Sequence, residues 1–152
     1  MISIPEPPSG RFEGDSHLFP VRVYYEDTDL SGIVYHANYL RWFERARSDM
    51  LRLLDIDQRA AIEAGDGAYA VSELALRYRS PARLDDAVLI QSDVVELRGA
   101  SVRLVQRAFR KDCLLCDATV RVGFVAPDGR PRRQPDSWRA AFKMIITQGN
   151  PE

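Results

Sequence analysis

No apolar run in this sequence approaches the roughly 18 residues that a membrane-spanning helix requires. Its first residues, MISIPEPPSGRFEGDSHLF, offer neither a charged n-region nor an apolar h-region. Neither a secretory leader nor an integral membrane segment is therefore expected, and the expected location is the cytoplasm. An excess of charge is also missing. The 21 basic residues face 22 acidic ones, a formal net charge of −1, so there is no global footprint for nucleic acid or for a membrane surface. Neither G-x-x-x-x-G-K-[ST] nor a strand-linked G-x-G-x-x-G is present to cradle phosphates. Cysteine is limited to Cys113 and Cys116. Their CxxC has no second pair and no nearby histidine to complete a metal set. Strand residues three apart point to opposite faces, so two packed thiols and no metal site are expected. Internal repeats, low-complexity segments and a second-domain boundary are absent as well.

What is present is the composition of one ordinary soluble domain: 152 residues, 45% hydrophobic and 28% charged. Prolines 5, 7 and 8 with Gly10 suggest a flexible lead-in over residues 1–17, in which His17 has no assigned role. A domain follows over 18–146, then a tail over 147–152. Leu18 to Tyr25 alternates as a half-buried strand. From Asn38 to Leu54 the period turns helical, with Tyr39, Phe43, Ala46, Met50 and Leu53 on the apolar stripe. Arg41, Glu44, Arg45, Ser48 and Asp49 hold the polar side, and Glu44 with Arg47 reads as a surface pair. A short helix is expected over 57–64. Strands are expected over 69–79, 87–97, 101–111 and 114–126. Residues 137–146 read equally as a last helix or a last strand. One strand, one helix and a run of antiparallel strands indicate an α+β domain with the helix across one sheet.

The most informative stretch is Tyr24 to Arg47, YYEDTDLSGIVYHANYLRWFERAR. It joins a strand end to an amphipathic helix through a loop holding Asp27, Asp29, the Ser31-Gly32 turn and His36. A carboxylate, an imidazole and a helix N-terminus then meet within about ten residues, a set able to polarise a carbonyl and activate an attacking group. The strings Tyr25-Glu26-Asp27-Thr28-Asp29, Gly32-Ile33-Val34-Tyr35-His36-Ala37-Asn38-Tyr39 and Phe43-Glu44-Arg45-Ala46-Arg47 resemble the hotdog-fold acyl-CoA thioesterases of the 4-hydroxybenzoyl-CoA type. Within them they look most like the YbgC subgroup associated with the Tol-Pal system. Tyr78-Arg79-Ser80-Pro81-Ala82-Arg83-Leu84-Asp85-Asp86 is a second match. Leu30-Ser31 departs from the small residues more usual before the glycine.

The resemblance implies a hotdog fold, a long central helix wrapped by an antiparallel sheet of about five strands. It also implies hydrolysis of an acyl-CoA without a cofactor, coenzyme A being part of the substrate. Asp29 matches the family's catalytic carboxylate, acting as nucleophile on the thioester or as base for water; a turn or capping role is the alternative for a loop aspartate. His36 matches a subgroup histidine, with its backbone N–H as donor to the thioester oxygen. Tyr25 matches an active-site tyrosine, against the alternative of a core aromatic. Asp27 is expected to brace the turn, and Gly32 to supply a backbone conformation or a close ligand approach. Gly32, Val34 and Tyr35 are candidate substrate contacts. Arg79, Arg83, Arg132 and Arg133 are candidates for the phosphates of coenzyme A, against the alternative of solvated surface. A homodimer or homotetramer is implied, and an acyl carrier protein is a second candidate partner. Two rival readings are a non-catalytic acyl-CoA or carrier-protein binding module and a hotdog hydratase, whose differently worded helix motif is not found here.

Overall fold

Alternation begins earlier in the folded chain than the apolar pattern suggested. The computed structural model describes residues 1–147; the expected tail lies, from residue 148, outside them. Strands β1 (Arg11–Glu13) and β2 (Ser16–Arg22) form a hairpin with Phe12 opposite His17. The expected flexible lead-in over 1–17 is thereby corrected, since strand pairing starts at Arg11. The physical reason is His17, which is 0% exposed. Its Nε2 donates to the Asp49 carboxylate at 2.7 Å. The same carboxylate accepts from the Gly10 amide at 2.9 Å and the Ser9 hydroxyl at 3.0 Å. Asp49 was expected on the polar side of the helix, yet it is 5% exposed. A buried carboxylate is tolerated because its oxygens are bonded this fully. Gly10 is required at this crossing: a Cβ there would stand 2.2 Å from the Leu18 carbonyl oxygen.

Helix α1 (Asn38–Leu53) buries Tyr39, Trp42, Phe43, Ala46, Met50 and Leu51. Leu53, placed on the stripe by its spacing, is instead exposed, and Leu51 takes its place. The first core cluster joins Phe19, Val21 and Val23 to α1 and to the inward faces of β4 (Ala87–Leu97), β5 (Ser101–Arg110) and β6 (Cys113–Val125). Truncating a residue such as Phe43 to alanine would cost about 3–5 kcal/mol. A second cluster gathers Met50, Leu51, Val94, Val102, Leu104, Phe142 and Ile145. Its last members belong to α3 (Asp136–Ile145), which settles the terminal segment as helix. The short α2 (Gln58–Glu63) is capped by Asp57, whose side chain accepts from the Ala60 amide at 2.9 Å.

With β3 (Ala68–Tyr78) the described sheet has six strands rather than about five, in the order β1-β2-β4-β5-β6-β3. All neighbours run antiparallel, and α1 lies against β2 and β4. This is the expected α+β hotdog arrangement. Leu115 is an extra residue between the pairs Phe109↔Leu114 and Ala108↔Cys116, and such bulges bend a strand. It also shifts the inward phase of β6, so Leu115 is buried together with Cys116. Cys113 consequently packs against the same cluster as Cys116, contrary to the opposite-face expectation. Both thiols are free, and burial pushes Cys116 up to about 12. The final strand in sheet order, β3 (Ala68–Tyr78), pairs on one side only and exposes Val71, Leu74 and Tyr78. No helix among the described residues is long and apolar enough to cross a membrane.

Candidate active site

Beyond β2 the chain makes one 3₁₀ turn, Tyr25–Asp27, rather than continuing as strand to Tyr25. Tyr25 is therefore 82% exposed, and its reading as a core aromatic is corrected. Asp27 braces this turn as expected: its carboxylate accepts from the Tyr24 amide at 2.8 Å. Its carbonyl accepts from the Tyr35 amide at 2.9 Å and from Asn38 Nδ2 at 2.8 Å. Those two bonds fasten the loop to the first turn of α1.

Between them runs a tight reversal. Thr28 bridges Val34, the Asp29 amide donates to Ile33 O at 3.0 Å, and the Gly32 amide donates to Asp29 O at 3.0 Å. Gly32 sits at φ +83° with nothing within 4 Å of where a Cβ would be. Of its two expected roles, conformation is the one observed. Asp29 projects from this reversal fully into solvent. Its Oδ1 accepts from the Ser31 amide at 2.8 Å and from the Ser31 hydroxyl; no described group donates to Oδ2. The Ser31 bonds, first the hydroxyl and then the amide, hold the carboxyl below the ordinary aspartate range, with a smaller contribution from His36. Asp29 thus shapes its own turn while keeping an ionised oxygen open.

His36 is exposed directly before α1. Its ring lies 4.5 Å from that of Tyr35 and 6.1 Å from that of Tyr78. The Tyr78 hydroxyl donates to the His36 carbonyl at 2.7 Å. The residue before α1, Ala37, has no side-chain cap. Among the described residues no acceptor takes the amides of His36 or Ala37. Two unclaimed N–H groups at the positive end of a sixteen-residue helix form a ready site for a developing negative oxygen.

The other expected contacts separate. Val34 is buried in the core with its amide on Ala82 O at 2.9 Å, so it anchors the loop. Tyr35 remains exposed beside His36. Arg83 is brought next to the loop by an Ile33↔Arg83 bridge. Arg79 is engaged by Asp117 at 3.0 Å. Arg132 donates to the carbonyls of Gly65 and Asp66, and Arg133 lies 3.9 Å from Asp136. Both sit by the start of β3, about 33 Å along the strand from Tyr78, so within this chain they do not reach this loop. Asn38 and Tyr78, which hold the loop and the helix start, were missed as functional residues. Asn38 has a signal in retrospect, an amide side chain at a helix's first position; Tyr78 has none beyond lying in the second matching string. Among the described residues no cluster of His, Cys, Asp and Glu could hold a metal ion.

Residues 31–116 match the family model described as the thioesterase superfamily. The chain is 44% identical over 128 residues to the acyl-CoA thioesterase YbgC of Haemophilus influenzae, covering 84% of this chain and 94% of that protein. It is also 44% identical over 128 residues to the acyl-CoA thioester hydrolase YbgC of Escherichia coli, covering 83% and 95%. Among solved structures, a probable thioesterase from Bartonella henselae superposes with a TM-score of 0.75 at 33% identity, over 79% of this chain and 99% of that one.

Proposed function

The chain belongs to the thioesterase superfamily, and from that premise we propose that it hydrolyses the thioester of an acyl-CoA to the free acid and coenzyme A. The observation that carries the chemistry is the pair of unclaimed amides at the start of α1, tied through Asp27 to the loop that presents Asp29. A thioester oxygen received by those amides gains charge as the carbonyl is attacked. One such donor is worth about 3 kcal/mol in the transition state. Asp29 then either attacks the carbonyl carbon, giving an enzyme anhydride that water opens, or takes a proton from the water that attacks. In both routes the C–S bond breaks and the thiolate leaves with little need of an acid. In the base route water supplies the acid's new oxygen; in direct attack Asp29 supplies it, and the water that opens the anhydride at the Asp29 carbonyl leaves its oxygen on Asp29. The Ser31 bonds favour the ionised form of Asp29, which both routes require. His36 beside it orients water or shares the proton.

The second part of the proposal is that the working form is at least a homodimer. An eleven-residue edge strand with exposed apolar side chains is a template for another strand. Antiparallel pairing of β3 with its copy would lay the Arg132 end of one protomer beside the Tyr78 end of the other. That would return Arg132 and Arg133 to the neighbourhood of a partner's site.

Thiol release from a panel of short, long and aromatic acyl-CoAs, with an acylated carrier protein as a further substrate, tests the reading. Asp29→Asn should lower turnover about 10²-fold or more with an unchanged circular dichroism spectrum. Near-wild-type hydrolysis of every accepted acyl-CoA by that variant would sink the mechanism. Single turnover in ¹⁸O water separates the routes, since only direct attack places the label in the Asp29 side chain.

A further inference from the structure

We propose that the cavity between the C-terminal half of α1 and strands β5 and β6 is a binding site for a small amphipathic carboxylate, separate from the Asp29 loop. The cavity measures about 80 Å³, and its apolar wall includes Met50, Val102, Leu104, Val122 and Phe142. Cavities of about 150 Å³ lined by such residues take up benzene. A space half that size suits a tail of about three carbons.

At its rim stands Arg47. The surface pair expected between Arg47 and Glu44 does not form; no described carboxylate lies within ion-pair distance of the guanidinium. Arg47 instead donates to Gln106 Oε1 at 2.9 Å. Gln106 is wholly buried, and its Nε2 is committed to Phe43 O at 3.0 Å and Ser92 Oγ at 2.9 Å. That commitment turns the amide oxygen toward Arg47 and holds the guanidinium in place. Burial makes the charged form of Arg47 less favourable than in water, so an anion at the rim would relieve it. The guanidinium is shaped to bind a carboxylate by two parallel hydrogen bonds. Glu44 is exposed and lines the same cavity, where its charge acts on Arg47 without forming an ion pair. A held cation with no ion-pair partner among the described residues, over a short apolar cavity, selects one chemical class, a carboxylate on a short aliphatic chain. The acid freed by hydrolysis of a short acyl-CoA belongs to it, but the inference does not depend on hydrolysis.

Calorimetric titration of the full-length protein with butyrate, and with 1-butanol as the uncharged analogue, tests it. Saturable butyrate binding with a Kd of about 1 mM or tighter, and none by 1-butanol, is the expected result. Arg47→Met should weaken butyrate at least about tenfold, as loss of a charged hydrogen-bond donor does, while Arg47→Lys retains part of the affinity. Val122→Phe, which fills the cavity from its half-buried wall, should weaken it with Arg47 intact. Asp29→Asn should bind butyrate as the wild type does. Absence of saturable binding, equal binding of the alcohol, or loss in Asp29→Asn but not in Arg47→Met would each overturn the proposal.

Discussion

The candidate carboxylate, Asp29, owes its lowered pKa chiefly to one neighbour. Ser31 bonds its Oδ1 through both hydroxyl and amide and is the main cause of its lowered pKa. A group with a depressed pKa stays charged above that value and loses its charge only as pH falls through it. The acid limb of kcat/KM should therefore lie below the ordinary aspartate range. Ser31→Ala removes the largest contribution, so its limb should move upward toward that range while turnover at neutral pH is largely kept. An unmoved limb would show that another group titrates there. At Gly32, φ +83° admits a side chain sterically but not conformationally. Gly32→Ala should cost about 1 kcal/mol of stability, read as a lower Tm, with the loss of activity exceeding the loss of stability because Asp29 rides on that turn. The reactive string was legible because its residue types cluster within one loop. Asn38 and Tyr78 were not, because their part is geometric and appears only once β3 ends beside α1.

At the scale of elements, the hairpin β1–β2 is pinned to α1 by His17 and Asp49. Nε2–H of the neutral imidazole serves the carboxylate, which leaves Nδ1 buried without a partner among the described residues. Phe12 and Phe19 flank the ring. Protonation would put a charged N–H among those rings, and burial outweighs the attraction of Asp49 in lowering the pKa below 6.5. Below 6.5 the unfolded chain takes up the proton first, so this contribution to stability is full above that pH and declines as pH falls toward the folded value. Tm should drop between pH 7.5 and 5.5 by more in the wild type than in His17→Gln, and parallel drops would refute the assignment. Gly10→Ala, forced against Leu18 O and Asp49, should destabilise by about 2 kcal/mol, measured by urea unfolding. Helix α1 and strands β3 to β6 were readable from period and turn residues. Most of β2 was readable too, from Leu18 onward, but β1 and the hairpin it makes were not, because prolines and a histidine mask strand alternation, and because Asp49's partner lies far away in sequence.

For the whole molecule the decisive element is the free side of β3. Its exposed Val71, Leu74 and Tyr78 lie uncovered in the single chain, and the proposed dimer would cover them. Leu74→Lys, a charge on that strand, should shift the mass measured by light scattering toward the monomer and lower activity in proportion. A variant that stays dimeric and fully active would exclude β3 from the interface. Fold class was legible from the order of one helix and a run of strands. Sheet order was not, since β3 follows α2 in the chain but sits at the far edge. That placement has a consequence for synthesis. Tyr78 pairs with Cys116 and Ala68 with Val125, so β3 leaves the ribosome long before the strand it pairs with exists. Until β6 emerges, the nascent chain carries an unsatisfied strand, the kind of segment that chaperones hold and that sister chains capture.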